Sequence, residues 1–374
     1  MRTSDLAAPA TTQEDTVNIG IIGGGGILGA HAPPYRMAAD RCAVAAIAEP
    51  DGTKHRRIRD LLGATPVIYP DYETLLREAD VAAVDIILPH DLHLPATRAA
   101  ARAGKHVLVE KVMARNIHEC DEMIRACDDA GVTLTVCHDR RYAAQWMALK
   151  QVVDSGLLGD LHFWQLDHNQ DVNPRVALPW AASWDRLGGG AIMLCLTHQI
   201  DALRWYGGEV ASVSCMTKIV PSRMEGETMG VILARMASGA LAELSINWET
   251  RQNDGGPNSL WYEMVRVVGS DGEAYLSAGR GVFARTRRPG RIAGVIETDG
   301  SENDRGYVRV RSGHWGGHER CIGEWLDMLL GRPHAITTSG RDARRTVEVA
   351  EAAYRSEAGR REIALPIEPE PWRG

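Results

Sequence analysis

The sequence lacks an excess of basic residues, paired cysteine motifs and long apolar runs. Its 374 residues include 49 acidic and 42 basic side chains, whereas a nucleic-acid-binding domain usually presents a basic face, so we expect no nucleic-acid partner. None of the seven cysteines belongs to a Cys-x-x-Cys pair, and most lie in apolar runs, where a reduced cysteine acts as a small hydrophobic residue. This usage indicates a reducing compartment and predicts a cytoplasmic protein.

Membrane-spanning and targeting segments are missing from the pattern as well. No stretch of about 18 or more uninterrupted apolar residues occurs, so we expect no membrane span. The small, polar residues 1–16 lack the apolar core of a secretory signal and predict a flexible tail. A chain of this length is typical of two domains, and it contains no internal repeat.

The first third of the chain alternates short apolar runs with amphipathic segments. The apolar runs predict buried parallel strands at Val17–Ile22, Ala43–Ala48, Val81–Leu88, His106–Val109 and Val132–Cys137. The segments between them predict helices at Lys54–Leu62, Tyr72–Glu78, Leu92–Ala103 and Ile117–Ala130. Strand and helix repeated in this order predict an α/β fold that begins with a doubly wound parallel sheet, with helices on both faces.

The pattern changes after the helix predicted over Tyr142–Ser155. Strands are predicted at Leu161–His168, Val210–Lys218, Met229–Met236, Ala240–Trp248, Tyr262–Val268 and Glu273–Leu276. Ser238-Gly239 and Asp271-Gly272 are typical of hairpin turns, so we expect a mostly antiparallel sheet. Helices over Glu319–Leu330 and Gly340–Glu357 complete the pattern. We therefore expect a dinucleotide-binding domain at 17–140 and an α+β domain for substrate binding and oligomerisation at 141–374.

A glycine-rich turn follows the first predicted strand and opens a helix. Glycines there permit a tight turn and let the backbone approach a pyrophosphate, while the helix N-terminus offers unpaired N–H groups. Two registers fit the Gly-x-Gly-x-x-Gly fingerprint: Gly23, Gly25 and Leu28, or Gly24, Gly26 and Gly29. The sequence predicts a bound dinucleotide and leaves both registers open.

Glu49 ends the second predicted strand, about 20 residues after the glycine-rich turn. A carboxylate at this place accepts hydrogen bonds from ribose hydroxyls and repels a 2′-phosphate, which predicts NAD rather than NADP. Lys54, Arg56 and Arg57 lie nearby in the sequence and offer the alternative of a bound phosphate.

Four ordered landmarks resemble those of one known family. The segment LPHDLH at 88–93 resembles a Pro-Asn-x-x-His turn with His90 in place of the asparagine, and AGKHVLVEK at 103–111 resembles an AGKHVLxEK run. The segment HDRRY at 138–142 resembles His-Asn-Arg-Arg-Phe, and GGG at 188–190 followed by His198 resembles a GGG…His helix. From Val17 to Pro366 the chain thus resembles the Gfo/Idh/MocA family (glucose–fructose oxidoreductase, inositol dehydrogenase and rhizopine catabolism).

The resemblance implies a Rossmann domain followed by an open antiparallel sheet, whose outer face packs against a partner in a homodimer or homotetramer. It also implies that Lys111 contacts the cofactor and the reacting hydroxyl, and that His198 binds substrate or assists proton transfer. The expected cofactor contacts are Gly23, Gly25, Gly26, Ile27, Leu28, Glu49, Pro89, His90, His93, Glu110 and Lys111. The expected substrate contacts are Lys111, Asn169, Arg175, Trp184, Thr197 and His198.

Some of these residues have an alternative role. His93 can hold its loop instead of facing the cofactor, and Glu110 can be an ordinary carboxylate at the end of a strand. Arg140 and Arg141 can reach the site or pair with carboxylates across the domain boundary. Polar residues from His168 to Arg175, with Trp180 and Trp184 after them, suit a ring-shaped polyol or a surface loop.

Two positions depart from the family pattern. Leu194 replaces an aspartate four residues before the histidine, and Val112 replaces the proline after the lysine. Asp201, one helical turn after His198, can partly compensate for the missing carboxylate or can simply make a polar contact of its own. His314 and His318 have the i, i+4 spacing of a metal pair, but Gly316-Gly317 lies between them and no third ligand is apparent, so we expect no metal.

The function expected first is NAD-dependent hydride transfer to or from a hydroxyl or keto carbon of a sugar, cyclitol or glycoside. A glycoside-cleaving enzyme that retains NAD and oxidises its substrate transiently is the alternative, and the missing acid at Leu194 keeps it open. A sensor without catalytic activity is the third possibility, which the presence of Lys111 and His198 disfavours.

Overall fold

The computed structural model describes residues 16–249, 261–287, 292, 295–303 and 305–372. The tail predicted at 1–16 lies outside these residues, apart from its last position. No helix in the described ranges combines the length and the apolar character needed to cross a bilayer.

Six parallel strands form the first sheet. They are β1 (Val17–Ile22), β2 (Cys42–Ala48), β3 (Val67–Tyr69), β4 (Ala83–Ile86), β5 (His106–Glu110) and β6 (Leu134–Cys137). Their order is β3-β2-β1-β4-β5-β6, so the strand order reverses between β1 and β4. In a sheet of this kind, ligands bind at the carboxyl ends of the strands where the order reverses.

Five helices connect these strands. They are α1 (Leu28–Met37), α2 (His55–Leu62), α3 (Tyr72–Glu78), α4 (His93–Arg102) and α5 (Ile117–Ala130). The side chains of Asp71 and Asn116 cap α3 and α5 by accepting hydrogen bonds from Thr74 N–H and Glu119 N–H. The α5 helix then ends at Gly131, whose φ of 67° suits a left-handed cap that glycine adopts without strain.

The second sheet has ten strands and is antiparallel except for one pair. Its strands are β7 (Leu161–Gln170), β8 (Val210–Ile219), β9 (Glu227–Met236), β10 (Leu241–Asn247), β11 (Trp261–Gly269), β12 (Gly272–Ser277), β13 (Gly281–Thr286), β14 (Thr298–Glu302), β15 (Val308–Val310) and β16 (Ile363–Ala364). Their order is β14-β15-β13-β12-β11-β7-β10-β9-β8-β16. The parallel pair is β7 and β10, so the carboxyl ends of these two central strands lie together.

Six further helices lie in the described part of the chain after β6, and three of them pack against the second sheet. They are α6 (Ala144–Asp154), α7 (Pro174–Ala177), α8 (Trp184–Leu187), α9 (Thr197–Gly207), α10 (Gly317–Leu329) and α11 (Gly340–Gly359). A π-helical turn at Ile192–Leu196 leads directly into α9. The α11 helix packs against β8 and α9 and also against α5 and β6, so it joins the two sheets, while α10 packs against α1 and β6 of the first domain.

The predicted fold class is confirmed, and most of the predicted elements are present. β1, α3 and α5 have the predicted bounds, and both predicted hairpin turns join antiparallel strands. The strands that were not predicted are β3, β13, β14, β15 and β16. Four of them have five residues or fewer and are mostly exposed or half-buried, so they lack the continuous apolar run by which a buried strand is recognised.

Candidate active site

The glycine-rich turn joins β1 to α1 at the point where the strand order reverses. Gly23 has a φ of 111°, and a Cβ added there would lie 2.6 Å from the carbonyl oxygen of Ile87, so only glycine fits. A Cβ on Gly25 or Gly26 would meet no atom within 4 Å, which leaves open space above the turn. Among the described residues, the N–H groups of Gly25, Gly26 and Ile27 have no hydrogen-bond acceptor. These N–H groups can therefore bind a pyrophosphate.

The geometry supports the first of the two fingerprint registers. Gly23 makes the tight turn that the first glycine requires, and Gly25 borders the open space. The third position is Leu28, which is fully buried and packs the helix against the sheet in place of a glycine. Gly29, the third position of the other register, has no atom closer than 3.9 Å to an added Cβ, so close packing does not require a glycine there.

Glu49 lies at the carboxyl end of β2, beside the glycine-rich turn. Its Oε2 accepts a hydrogen bond from Gly24 N–H at 2.9 Å, and its Oε1 accepts one from Asp51 N–H at 3.0 Å. Lys54 Nζ lies 3.1 Å from the same carboxylate. The exposed Arg57 side chain lies 3.2 Å from the carbonyl oxygen of Gly25. Lys54 and Arg57 thus have protein partners beside the turn, whereas the Arg56 side chain is 94% exposed and lies 3.9 Å from Asp60.

The loop after β4 is fixed by two buried histidines. His93 has its ring nitrogens 2.8 Å from the Leu88 carbonyl oxygen and 3.0 Å from that of Val112, so it joins the β4 loop to the segment after β5. His90 donates from Nδ1 to the Leu187 carbonyl oxygen at 2.9 Å, and its ring centroid lies 5.0 Å from that of Trp180. The two contacts of His93 fit its alternative, structural role of holding the loop. Pro89, which precedes them, is half-buried.

Lys111 extends from the end of β5 toward the second domain. Its Nζ donates a hydrogen bond to the carbonyl oxygen of Leu194 at 2.6 Å. Leu194 lies in the π-helical turn before α9, so the main chain meets the lysine where the family has an aspartate side chain. The peptide bond between Lys111 and Val112 is cis.

His198 is the second residue of α9, one helical turn after Leu194. It is buried, and its Nδ1 is 3.4 Å from Asp139 Oδ1. Burial, and then the positive charges of Lys111 and Arg140, hold the pKa of His198 well below its ordinary value. The imidazole is therefore neutral at physiological pH and can accept a proton.

A chain of ion pairs surrounds the lysine and this histidine. Arg140 contacts Asp139 at 2.7 Å and Glu263 on β11 at 3.1 Å, and Glu263 is also 3.1 Å from His168 Nδ1. The rings of His168 and His198 are stacked, with centroids 6.3 Å apart. Arg140 thus pairs with Glu263 across the proposed domain boundary, which is the second of the two roles predicted for it.

His168 and Cys195 contribute a second polar contact at the same site. Burial alone would lower the pKa of His168, but hydrogen bonding to Cys195 and Glu263 outweighs it and raises the pKa to about 9. Burial alone would raise the pKa of the Cys195 thiol, whereas His168 and Lys111 lower it. His168 and Lys111 thus favour the thiolate form of Cys195, in the same helical turn in which Leu194 carries no charge.

The contacts of Asp201 fit the second of its two predicted roles, a polar contact of its own, and not compensation for Leu194. Its carboxylate is buried and forms a bidentate pair with Arg141, with distances of 2.8 Å and 2.6 Å. Thr346 Oγ1 donates to the same carboxylate at 3.1 Å. The aspartate therefore joins α9 to the HDRRY segment and to α11, on the side of the helix away from Lys111.

The predicted substrate contacts fall into different surroundings. Asn169 is half-buried at the end of β7, one residue after His168. Thr197 is fully buried and donates its hydroxyl to the Met193 carbonyl oxygen at 3.2 Å, so it fits a role inside the helix and not a substrate contact. Arg175 is exposed and donates to the Pro221 carbonyl oxygen at 3.2 Å.

Trp184 packs among other aromatic residues. Its ring lies 6.5 Å from that of Trp372 and 5.4 Å from that of Tyr354. Trp180, which sequence reasoning grouped with it, lies beside His90 instead. The structure therefore places Trp180, and not Trp184, next to His90 in the loop after β4.

Several polar residues of the site were not singled out from the sequence. They are His31, Asp85, Asp139, Cys195 and Glu263. Asp85 is an acid inside an otherwise apolar β4, and Glu263 occurs in an apolar β11, so a charge within a buried strand was the available signal. Cys195 gave no such signal because a buried cysteine usually acts as a hydrophobic residue.

Comparison with known proteins agrees with this geometry. A family model described as an oxidoreductase family with an NAD-binding Rossmann fold matches residues 17–138, and the GFO/IDH/MocA C-terminal domain matches residues 146–275. The fold and site thus define an oxidoreductase with a nicotinamide dinucleotide as cofactor. More particularly, the chain belongs to the Gfo/Idh/MocA family, and the predictions of family, enzyme class and NAD-type cofactor are confirmed at this level.

Individual relatives differ in how much of their length is matched. The 1,5-anhydro-D-fructose reductase of Ensifer adhaerens is 31% identical over 183 residues, which cover 48% of this chain and 54% of that protein. The chain therefore spans about half of that relative. D-Apiose dehydrogenase of Rhizobium rhizogenes is 24% identical over 326 residues, which cover 86% of this chain and 90% of that protein.

A solved structure shows the same fold along nearly the whole chain. The WlbA dehydrogenase of Bordetella pertussis, in complex with NADH and UDP-GlcNAcA, matches with a TM-score of 0.78 at 22% identity. The match covers 94% of this chain and 100% of that chain. At this identity the likeness concerns the fold.

Proposed function

We propose that the protein transfers a hydride between NAD and a carbon that carries a hydroxyl or keto group in a sugar, cyclitol or glycoside. The contact between Lys111 Nζ and the Leu194 carbonyl oxygen, at 2.6 Å, carries this proposal. It brings the end of β5, next to the dinucleotide turn, against the segment that positions His198. A hydroxyl-bearing carbon held there has both a cationic donor and a neutral base beside it.

The dinucleotide-binding residues are proposed from the geometry of the turn. The N–H groups of Gly25, Gly26 and Ile27 bind the pyrophosphate, and Glu49 accepts hydrogen bonds from the ribose hydroxyls. Gly23 makes the tight turn, and Leu28 packs beneath it. Bound NAD supplies the hydride acceptor, and its reduced form supplies the hydride in the reverse direction.

Lys111 and His198 divide the work on the substrate hydroxyl. Lys111 donates a hydrogen bond to the hydroxyl oxygen and stabilises the negative charge that grows there as the proton leaves. His198, held neutral by burial and by Lys111, accepts that proton. Asp139, 3.4 Å from the other ring nitrogen, then stabilises the imidazolium. Asn169, half-buried at the end of β7, offers hydrogen bonds to a further hydroxyl of a polyol.

The test is a panel of sugars, cyclitols and glycosides incubated with excess NAD, with the absorbance of reduced cofactor followed over time. We expect many turnovers per chain with at least one polyol, because both a donor and a base are in place. Release of an aglycone without net cofactor reduction would support the glycoside-cleaving alternative, and binding of NAD without either reaction would support a sensor. A higher kcat/KM with NADP than with NAD would contradict the role given to Glu49.

We further propose that the open face of the second sheet binds a second copy of the chain in a homodimer or homotetramer. The α9 and α11 helices cover the opposite face, whereas Met216 is 79% exposed on β8 and Leu233 is 58% exposed on β9. Val231 is also exposed on β9, and Leu241 is exposed on the neighbouring strand β10. Exposed apolar side chains grouped on one sheet face are typical of a contact surface.

Replacing Leu233 with glutamate should therefore shift the protein toward the monomer, because burying an unpaired charge in the contact is costly. Light scattering coupled to size exclusion measures the mass. Met37→Glu is the matched control, since Met37 is an equally exposed apolar residue at the end of α1. A wild-type monomer, or equal masses for all three proteins, would disprove the proposed contact.

Two broader proposals follow from the architecture. We propose a domain boundary at 140/141, because the first sheet ends with β6 and the family matches lie on either side of it. We also propose a reducing, cytoplasmic compartment, because all seven cysteines are free thiols and six of them are buried.

A further inference from the structure

Four metal-ligating side chains converge beneath the candidate active site. His31 comes from α1, Glu110 from the end of β5, Cys137 from the end of β6 and His318 from the start of α10. One ligand atom of each lies within 4.8 Å of the ligand atoms of all the others. His31, Glu110 and Cys137 are buried and His318 is half-buried, which leaves one side open for entry. This group is called the four-residue cluster below.

The spacing of these atoms is close to that of a tetrahedral ion. Zinc binds nitrogen and oxygen at about 2.0–2.2 Å and sulfur at about 2.3 Å, so its ligands lie about 3.3–3.8 Å from each other. In the four-residue cluster, Glu110 Oε1 is 2.9 Å from His31 Nε2 and 3.2 Å from His318 Nε2. An ion would replace these two hydrogen bonds, and atomic shifts of about 1 Å would complete the coordination.

Polar groups lie next to three of the four ligands, as they do around metal sites. A metal-bound histidine usually donates its second ring N–H to a carboxylate. His31 Nδ1 lies 2.7 Å from Asp85 Oδ2, and His318 Nδ1 lies 3.6 Å from Asp139 Oδ2. Glu110 uses its other oxygen, Oε2, to accept a hydrogen bond from Lys111 N–H at 2.9 Å. In each of these three ligands, one nitrogen or oxygen atom points to the ion site and the second lies near a polar partner.

The charges also favour a cation. Asp85 is fully buried, and its Oδ1 has no hydrogen-bond partner among the described residues. Glu110 lies 2.9 Å from the same imidazole that contacts Asp85, so two buried carboxylates share His31. A divalent ion would neutralise more of this negative charge than one imidazolium can.

We propose that His31, Glu110, Cys137 and His318 bind one divalent transition-metal ion of the zinc class. Nitrogen and sulfur ligands favour such an ion over magnesium or calcium, which take oxygen ligands. Four protein ligands leave no open position, so the ion has a structural role. It would join α1, β5, β6 and α10 directly behind Lys111. The sequence offered no third ligand beside His318 because the other three are far from it in the chain.

Cobalt titration of the full chain tests the proposal, because cobalt(II) reports its ligands through its absorption spectrum. Protein freed of metal with a chelator is titrated with Co²⁺ and then with Zn²⁺. We expect saturation at one Co²⁺ per chain, a thiolate-to-cobalt charge-transfer band in the near ultraviolet, and loss of the band as Zn²⁺ displaces cobalt. Absence of the charge-transfer band in the wild-type protein overturns the proposal.

Matched variants locate the ion. Cys137→Ser and His318→Gln should each lose the band or bind Co²⁺ at least tenfold more weakly, whereas Cys42→Ser and His314→Gln should bind it normally. Cys42 is a buried thiol of the same sheet, and His314 precedes α10 outside the four-residue cluster. Circular dichroism checks that each variant is folded. If Cys137→Ser does not fold, the cobalt titration of the wild-type protein is the test of the proposal. Retention of the band in both cluster variants, or equal loss in the controls, also overturns the proposal. NAD binding, measured separately, keeps this result distinct from the proposed hydride transfer.

Discussion

Replacing Lys111 with methionine should lower kcat by about 10²–10⁴-fold with the polyol that the substrate panel identifies, while NAD affinity changes by only a few-fold. Methionine keeps the length of the side chain but cannot donate a hydrogen bond or carry charge. The hydroxyl oxygen then loses its cationic donor, and the Leu194 carbonyl loses the ammonium that now lies 2.6 Å away. Affinity for NAD depends mainly on the glycine-rich turn and Glu49, which the substitution leaves in place. Steady-state kinetics and calorimetric titration with NAD measure the two effects.

Lys105→Met is the control for this experiment. Lys105 directly precedes β5, and Lys111 directly follows it, so the two variants remove the same charge at opposite ends of one strand. We expect the control to keep wild-type turnover. If Lys111→Met retained more than about a tenth of the turnover, the lysine would have no part in the chemistry.

Replacing Arg141 with methionine should reduce the free energy of unfolding by about 3–5 kcal/mol. The Arg141 side chain is 5% exposed and that of Asp201 is 1% exposed, and they meet through two hydrogen bonds. Burial would raise the pKa of Asp201, whereas Arg141 and His138 hold it below its ordinary value. Without the guanidinium, the nearest basic groups are His138 Nδ1 at 3.8 Å and Arg204 at 4.0 Å, so the carboxylate stays buried with poor partners. Urea unfolding followed by circular dichroism measures the loss.

A second variant separates the buried charge from the loss of packing. In Arg141→Met combined with Asp201→Leu, neither charge remains buried, so we expect part of the stability to return. Arg345→Met removes a surface partner from Glu209, in a pair whose side chains are 56% and 47% exposed, and should cost less than about 1 kcal/mol. Equal losses from the Arg141 and Arg345 substitutions would contradict the assignment of a buried pair.

The fold was predictable from the sequence where an element has a strong period or a clear boundary. β1 is apolar at every position but the exposed Asn18, and α5 begins at a capping Asn116 and ends at Gly131, so both were predicted with the observed bounds. The edge strands β3 and β16 have three and two residues, and their pairing depends on the sheets beside them. Tertiary contacts therefore determine these strands, and the local pattern does not.

The candidate site was predictable where residues follow a strand or a motif in the chain. Lys111 and His198 were identified in this way, as were Gly23, Gly25 and Glu49. Spacing left two roles open for Asp201, because it shows which helical face a residue occupies but not which charge lies opposite. Likewise, the approach of His168 to Cys195 and of Glu263 to Arg140 joins distant segments, and only the packing of the two sheets shows it.

The contact from Lys111 reaches a backbone atom, and this affects how related sequences should be compared. A carbonyl oxygen is present whichever side chain occupies position 194, so substitutions there are tolerated as long as the π-helical turn persists. An oxygen of this kind also holds no titratable proton, and its attraction for the ammonium does not vary with acidity. A sequence survey that demands an aspartate in this column would discard the present chain, although its lysine has an oxygen partner there.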